Sequence, residues 1–262
     1  RRPTARHVVT AETAHHPSGP LVLACSLAGV AGFIDAHLFL HVTNVFVANM
    51  SGNMVRIGIF TGSGDWSIAV GSVAALFAFA AGVVVAIAHH DRRLRQDKPV
   101  RPDELLAIEA LLTLSLPVIL IVFDVEFSNQ AVPVHYLVMG IGAFAMGIQA
   151  SSLRRVGSIA VATTYGTGTI VRIGEKLALG LRRAERTSVG RRSATIIVLV
   201  GVLACYVGGA AVASALGSSP LLLLIPSAVL AIFAMYVRSS AGFRAAVAES
   251  RIRRSERRMT DY

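Results

Sequence analysis

The sequence is poor in charge and in cysteine, and each scarcity narrows the class of protein. Only 15% of its 262 residues are Asp, Glu, Lys or Arg, whereas an ordinary soluble domain has about 25%. This argues against a soluble globular domain, a disordered chain and a coiled coil. The two cysteines, Cys25 and Cys205, both lie in apolar runs. The sequence therefore lacks a disulfide framework and a cysteine-based metal motif.

Long stretches contain no charged side chain at all. Residues 194–237 and 67–88 are uncharged over 44 and 22 positions, and about 20 apolar residues in a helix cross a hydrocarbon core of about 30 Å. The sequence therefore predicts an all-α polytopic membrane protein with about six full transmembrane helices. These segments cover residues 21–40, 67–88, 104–123, 132–150, 194–216 and 220–237.

The positive charge is confined to the regions between these segments. Of the 25 Lys and Arg residues, 24 fall in five clusters, at 1–6, 92–101, 154–155, 172–192 and 238–258. This is the pattern of the positive-inside rule, and it argues against nucleic acid as a partner despite the net charge of +10. We expect a cytoplasmic basic tail at 1–19, a membrane domain at 20–237, and a basic cytoplasmic tail at 238–262 that lies on anionic lipid.

Two further stretches, 44–61 and 158–180, are apolar at their ends and polar in the middle. If the basic clusters all lie inside, the first stretch starts and ends on the outer side and the second on the inner side. Both are then re-entrant elements, each a short extended piece followed by a half-helix. The alternative is eight full spans, which would place five basic residues on the wrong face.

The two interrupted stretches share a pattern, which predicts an internal repeat. Ser51-Gly52-Asn53-Met54-Val55-Arg56-Ile57-Gly58 aligns with Thr167-Gly168-Thr169-Ile170-Val171-Arg172-Ile173-Gly174. Each half, about 20–124 and 132–237, then holds three full spans and one re-entrant element. Because three crossings are an odd number, the halves have opposite orientations, as in many transporters with broken helices near the midplane.

The motifs Gly32-Phe33-Ile34-Asp35-Ala36, Phe46-Val47-Ala48-Asn49-Met50-Ser51-Gly52-Asn53 and Thr164-Tyr165-Gly166-Thr167-Gly168-Thr169 resemble the YoaK-like family. The resemblance covers about residues 20–238. It implies a multipass protein of the bacterial inner membrane, and we expect both termini in the cytoplasm. It supplies no substrate, catalytic residue or cofactor.

The polar residues of the breaks are typical of helix starts. Ser, Thr and Asn cap free N–H groups, and the N-terminal end of a helix attracts negative charge. Two such ends facing each other would bind an anion or the carboxylate of a small solute; alternatively, both motifs only cap and pack broken helices. The candidate binding residues are Asn49, Ser51, Gly52, Asn53, Tyr165, Thr167, Gly168 and Thr169.

Charged and ionisable residues within the apolar segments are the other candidates. Arg56 and Arg172 either add positive field at the site or extend to the nearest interface. Asp35 either carries a coupling proton or forms a polar clasp onto Asn49, Asn53 or Arg56. His37 is expected at an interface, and Glu109, near the inner end of its span, is expected to be hydrated.

Two functions fit this sequence. The first is a secondary transporter or channel for a small anionic or zwitterionic solute, with the lipid bilayer as its other partner. The second is a membrane scaffold or accessory protein that does not transport. An enzyme is not expected, because the chain has no H-E-x-x-H motif, no G-x-S-x-G motif and no clustered carboxylates. No cofactor or metal is expected.

Overall fold

The computed structural model describes residues 18–96, 98, 101–125, 133–152, 155–156, 159–160, 166–182 and 189–240. Long helices dominate this part of the chain, together with a 3-10 turn (Pro220–Leu223) and a hairpin of two two-residue strands. The elements are α1 (Ser18–His41), α2 (Met50–Ser63), α3 (Trp66–Arg95), α4 (Pro102–Val122), α5 (Pro133–Ser152), β1 (Arg155–Val156), β2 (Ile159–Ala160), α6 (Gly166–Arg182), α7 (Val189–Leu216) and α8 (Leu224–Ser239).

Six of the described helical segments are long and apolar enough to cross a membrane, which confirms the all-α polytopic fold. They are Leu21–His41, Trp66–Arg95, Pro102–Val122, Pro133–Ser152, Ile196–Leu216 and Pro220–Ser239. The 14 residues of α2 rise only about 21 Å, which is too short for a hydrocarbon core of about 30 Å. The 17 residues of α6 include Arg172, Glu175, Lys176 and Arg182. Neither helix fits the alternative of eight full spans.

Most contacts between the described helices fall in a few pairs. α1 packs against α7, and α3 packs against α5, while α4 packs against α8. The short helices α2 and α6 pack against α3 and α7, respectively. Exchanging α1 with α5, α2 with α6, α3 with α7 and α4 with α8 maps every one of these pairs onto another pair or onto itself.

Glycines bring the backbones of the two main helix pairs into direct contact. A Cβ on Gly32 of α1 would overlap the carbonyl oxygen of Tyr206 on α7, and a Cβ on Gly209 would overlap that of Gly29. The pair α3 and α5 shows the same arrangement. There, Gly82 faces the carbonyl oxygen of Phe144, and Gly147 faces that of Phe79. Small residues permit this close approach, which is the main source of helix association in lipid.

The region before α6 is described only in part. β1 pairs antiparallel with β2, so that Arg155 lies opposite Ala160 and Val156 opposite Ile159. The short extended piece expected before the second half-helix thus includes the strand β2 in its described part. Residues 161–165, which include the candidate Tyr165, lie outside the described residues.

Candidate functional site

The candidate site of the first half is the break between α1 and α2. Residues 42–49 are not helical, and most of their side chains are buried. This connector turns back beside α1: the backbone N–H groups of Val47 and Ala48 donate to Asp35 Oδ1 at 2.6 and 2.8 Å. Asp35 lies six residues before the end of α1, or about 9 Å along the helix axis. The break therefore reaches back into the protein at membrane depth.

Asp35 also joins the connector to the second half of the chain. The Tyr206 hydroxyl on α7 donates to Asp35 Oδ2 at 2.6 Å. The Asp35 side chain, at 2% exposure, is surrounded by protein, and its bonds come from N–H and O–H donors. This is a polar clasp, but its partners are not the side chains expected from the sequence. Two backbone amides and a tyrosine hydroxyl take the place of Asn49, Asn53 and Arg56.

Asn53 and Gly52 fasten the start of α2 to the connector. The Asn53 side chain accepts from the Phe46 N–H group at 3.0 Å and donates to the Phe46 carbonyl oxygen at 2.6 Å. A Cβ on Gly52 would lie 2.9 Å from the Phe46 ring, which explains a glycine at this position. Both residues thus hold the break together.

Asn49 is the N-cap of α2, but its capping bonds leave two donors unused. Its Oδ1 accepts from the Gly52 N–H group at 3.1 Å and from the Ser51 hydroxyl at 2.9 Å. In the described part of the chain, neither Asn49 Nδ2 nor the Ser51 N–H group has a hydrogen-bond partner. Ser51 is exposed. Two N–H donors therefore remain available at the positive end of the helix dipole.

Arg56 lies among aromatic rings. Its guanidinium carbon lies 5.1 Å from the centre of the Phe39 ring and 5.0 Å from that of Phe60, and Phe39 stacks on Phe46 at 4.2 Å. Rings at this distance attract a cation through their quadrupole. The charge of Arg56 is thus held beside the connector, six residues after the start of α2.

The candidates of the second half lie at the start of α6. Thr167, Gly168 and Thr169 fall in its first turn, where Gly168 is exposed and Thr169 is buried. Arg172, one turn further, is exposed. α2 packs against α3, and α6 against α7, and no extensive contact joins α2 to α6 in the described ranges.

Two ionisable residues expected near water are instead fully buried. His37 has 0% exposure and packs between the rings of Phe33 and His41. Glu109 also has 0% exposure, and neither of its carboxylate oxygens has a hydrogen-bond partner among the described residues. Both expectations fail because helix packing covers the faces of α1 and α4 that carry these residues. A run of apolar residues in the sequence does not show which face of the helix its neighbours cover.

The fold and the broken helix define a polytopic α-helical membrane protein. The chain matches the family model for proteins of unknown function called DUF1275 over residues 23–237, and it belongs to that family. It is 30% identical over 190 residues to the UPF0700 transmembrane protein YoaK of Bacillus subtilis (strain 168), covering 70% of this chain and 80% of that protein. No solved structure matches the chain.

Proposed function

We propose that the protein is a secondary transporter or channel for a small anionic or zwitterionic solute, in a bacterial inner membrane with both termini cytoplasmic. The observation that carries the proposal is the pair of unused donors, Asn49 Nδ2 and the Ser51 N–H group, at a helix start that follows a buried break. Non-helical backbone at membrane depth lines cavities in transporters. A carboxylate or inorganic anion would accept from both donors.

The pairing of helices supports a transport function. The exchange that maps the pair α1–α7 onto the pair α3–α5 also maps the glycine contacts of one pair onto those of the other. In both pairs, each glycine faces the carbonyl oxygen of a residue that lies three positions before the partner glycine. We infer an inverted repeat in which Tyr165, Thr167, Gly168 and Thr169 form the matching half of the site. Arg56 and Arg172 add positive field on the two sides. Two equivalent halves allow one solute site to open in turn to each side.

The substitution Asn49→Asp tests the site while keeping the cap. Asp is as good an N-cap as Asn, but it replaces the unused Nδ2 donor by a negatively charged acceptor. We expect uptake of radiolabelled acetate, phosphate or mixed amino acids into proteoliposomes to fall at least tenfold. Ser63→Asp, which places the same charge at the exposed far end of α2, is the matched control. Equal uptake by both variants would contradict the proposed site.

A bulky side chain at Gly52 tests the same end of the helix by sterics. Gly52→Leu displaces Phe46 and Asn49, whereas Gly58→Leu on the same helix enters open space. We expect the first to lose uptake and the second to keep it, with both variants inserted and monodisperse. Gly168→Leu should act like Gly52→Leu if the halves are equivalent.

A non-transporting scaffold is the second candidate. It is favoured by the hydrogen bonds of Asn53 and of Asn49 Oδ1, because these atoms already bond to other groups of the protein and need no solute as a partner. In that case wild-type proteoliposomes take up no more of the three probes than protein-free liposomes do.

A further inference from the structure

Glu109 is a buried carboxyl group without a hydrogen-bond partner among the described residues, about a third of the way along a membrane-spanning helix. It lies seven residues into α4, about 10 Å along the axis. Both of its oxygens lack a hydrogen bond, and so does the hydroxyl of Thr113, which is also at 0% exposure. Residues four apart in a helix are neighbours on one face. Glu109 and Thr113 therefore form one enclosed polar position.

No positive charge compensates Glu109 in the described part of the molecule. The helix α4 packs against α5, α8 and the 3-10 turn, and the last has no titratable side chain. Nearby Arg93 and Arg101 both bond to Glu104, at 2.8 and 3.0 Å. The titratable or charged groups of the surrounding elements are His135 and Tyr136 on α5, Tyr236 and Arg238 on α8, Asp103 and Glu104 on α4, and His89, His90, Asp91, Arg92, Arg93 and Arg95 on α3. None of them bonds to Glu109.

The groove beside α4 does not reach Glu109 either. A groove of about 670 Å³ between α4 and α8 is lined by Glu104, Ala110 and Arg238 among others, but Glu109 is not part of its wall. The carboxyl group is thus enclosed by protein on all described sides.

The contrast with Asp35 indicates the protonation state. Asp35 receives three hydrogen bonds from donors, and such bonds stabilise a carboxylate. Glu109 receives none, and an isolated carboxylate in an apolar interior is so unfavourable that the group takes up a proton instead. A protonated Glu109 gains a donor, and the Thr113 hydroxyl, four residues later on the same face, is a buried acceptor without a partner.

We propose that Glu109 is a proton-binding site of this protein, with the neutral acid donating to Thr113. One proton adds to the carboxylate on loading and leaves on release. The proton would come from the side of Glu104, a partly exposed residue five positions earlier on the same helix, or about 7.5 Å along the axis. If the protein transports, which rests on the function proposed above, Glu109 rather than Asp35 is the group that couples flux to protons.

Infrared spectroscopy tests the site without a solute. In lipid at neutral pH, the wild-type protein should show the carbonyl band of a protonated carboxylic acid, with a shift on transfer to deuterated water. Glu109→Gln should remove this band, and Asp35→Asn should leave it. Thr113→Val should move it to the frequency of an acid without that hydrogen bond. A band that survives in Glu109→Gln, or no band in the wild type, would overturn the proposal.

A second measurement does not depend on how the variants fold. A hydrophobic carbodiimide adds to a protonated carboxyl group: the acid proton moves to a carbodiimide nitrogen while the carboxyl oxygen bonds to the central carbon. Mass spectrometry of the labelled wild-type protein should locate the adduct on Glu109 and not on Asp35. Label on Asp35 alone would contradict the assignment.

The coupling claim has its own readout. Uptake of the phosphate and amino-acid probes by wild-type proteoliposomes, after subtraction of uptake by protein-free liposomes, should rise at least fivefold under an imposed pH gradient, and Glu109→Gln should abolish this rise. Gradient dependence that persists in Glu109→Gln overturns coupling through Glu109. If no probe enters with the wild type, the proposed function and its coupling fail, while the infrared and labelling results still decide the proton site.

Discussion

Tyr206 is one of the described residues that join the two halves of the chain by a hydrogen bond. Its partner Asp35 is 171 positions away in the sequence. The glycine contacts place Phe79 in the equivalent position of the α3–α5 pair, so that position in the other half already has an aromatic ring without a hydroxyl. The hydroxyl is therefore dispensable for packing, and its removal isolates the hydrogen bond.

Tyr206→Phe should lower the free energy of unfolding by about 0.6–2 kcal/mol. The lower value is typical of hydrogen bonds between membrane helices, and the upper value is typical of hydrogen bonds to charged groups in water. Reversible unfolding in mixed micelles measures it. Tyr136→Phe is the matched control, because that hydroxyl makes only a 3.3 Å bond to the Ser67 carbonyl oxygen. An equal loss in both variants would show that the clasp has no special strength.

The sequence made Asp35 the candidate for a coupling proton and predicted that Glu109 is hydrated, whereas the structure buries Glu109 completely. Both stand among similar neighbours in the chain. The difference between them lies in donors that come from the connector and from α7 in one case and are missing in the other. Those donors depend on which helix faces meet, and no local pattern encodes that.

At the scale of the element, the crossing of α1 and α7 depends on backbone contact at single positions. Gly208 and Gly209 are consecutive on α7, yet a Cβ on Gly209 would overlap the Gly29 carbonyl oxygen, whereas a Cβ on Gly208 would meet open space. The two glycines therefore have nearly the same chain position and the same helix propensity. They differ only in whether a Cβ would meet the backbone of α1.

Gly209→Ala should destabilise the protein by about 3 kcal/mol, because α1 and α7 must move apart. Gly208→Ala should change stability by no more than about 0.5 kcal/mol. Thermal melting in detergent compares the two variants. Similar melting temperatures would mean that this crossing is not closely packed.

The breaks are the elements that the sequence placed best. Polar residues interrupt an apolar run at each break. At the first break, α2 starts at Met50 after the N-cap residue Asn49. The sequence did not show how the break is braced: the side chain of Asn53 pairs with both backbone groups of Phe46. Such pairing depends on the fold of the connector.

At the scale of the whole molecule, the re-entrant arrangement makes a topological prediction. With six full spans, the end of α2 and the start of α7 lie on opposite sides of the membrane. In a chain whose two native cysteines are replaced by alanine, S63C should react with an impermeant maleimide from outside intact cells, and V189C should react only after permeabilisation. Reaction of both from one side would contradict the inverted arrangement.

The sequence by itself determined the class of protein and the place of the segments long and apolar enough to cross a membrane. It could do so because burial of charge in hydrocarbon is so unfavourable that composition alone divides the chain into spans and loops. Only the tertiary structure decided which polar groups are satisfied and which helices touch. Those outcomes depend on donors and glycines that lie far apart in the chain and meet only when the helices pack.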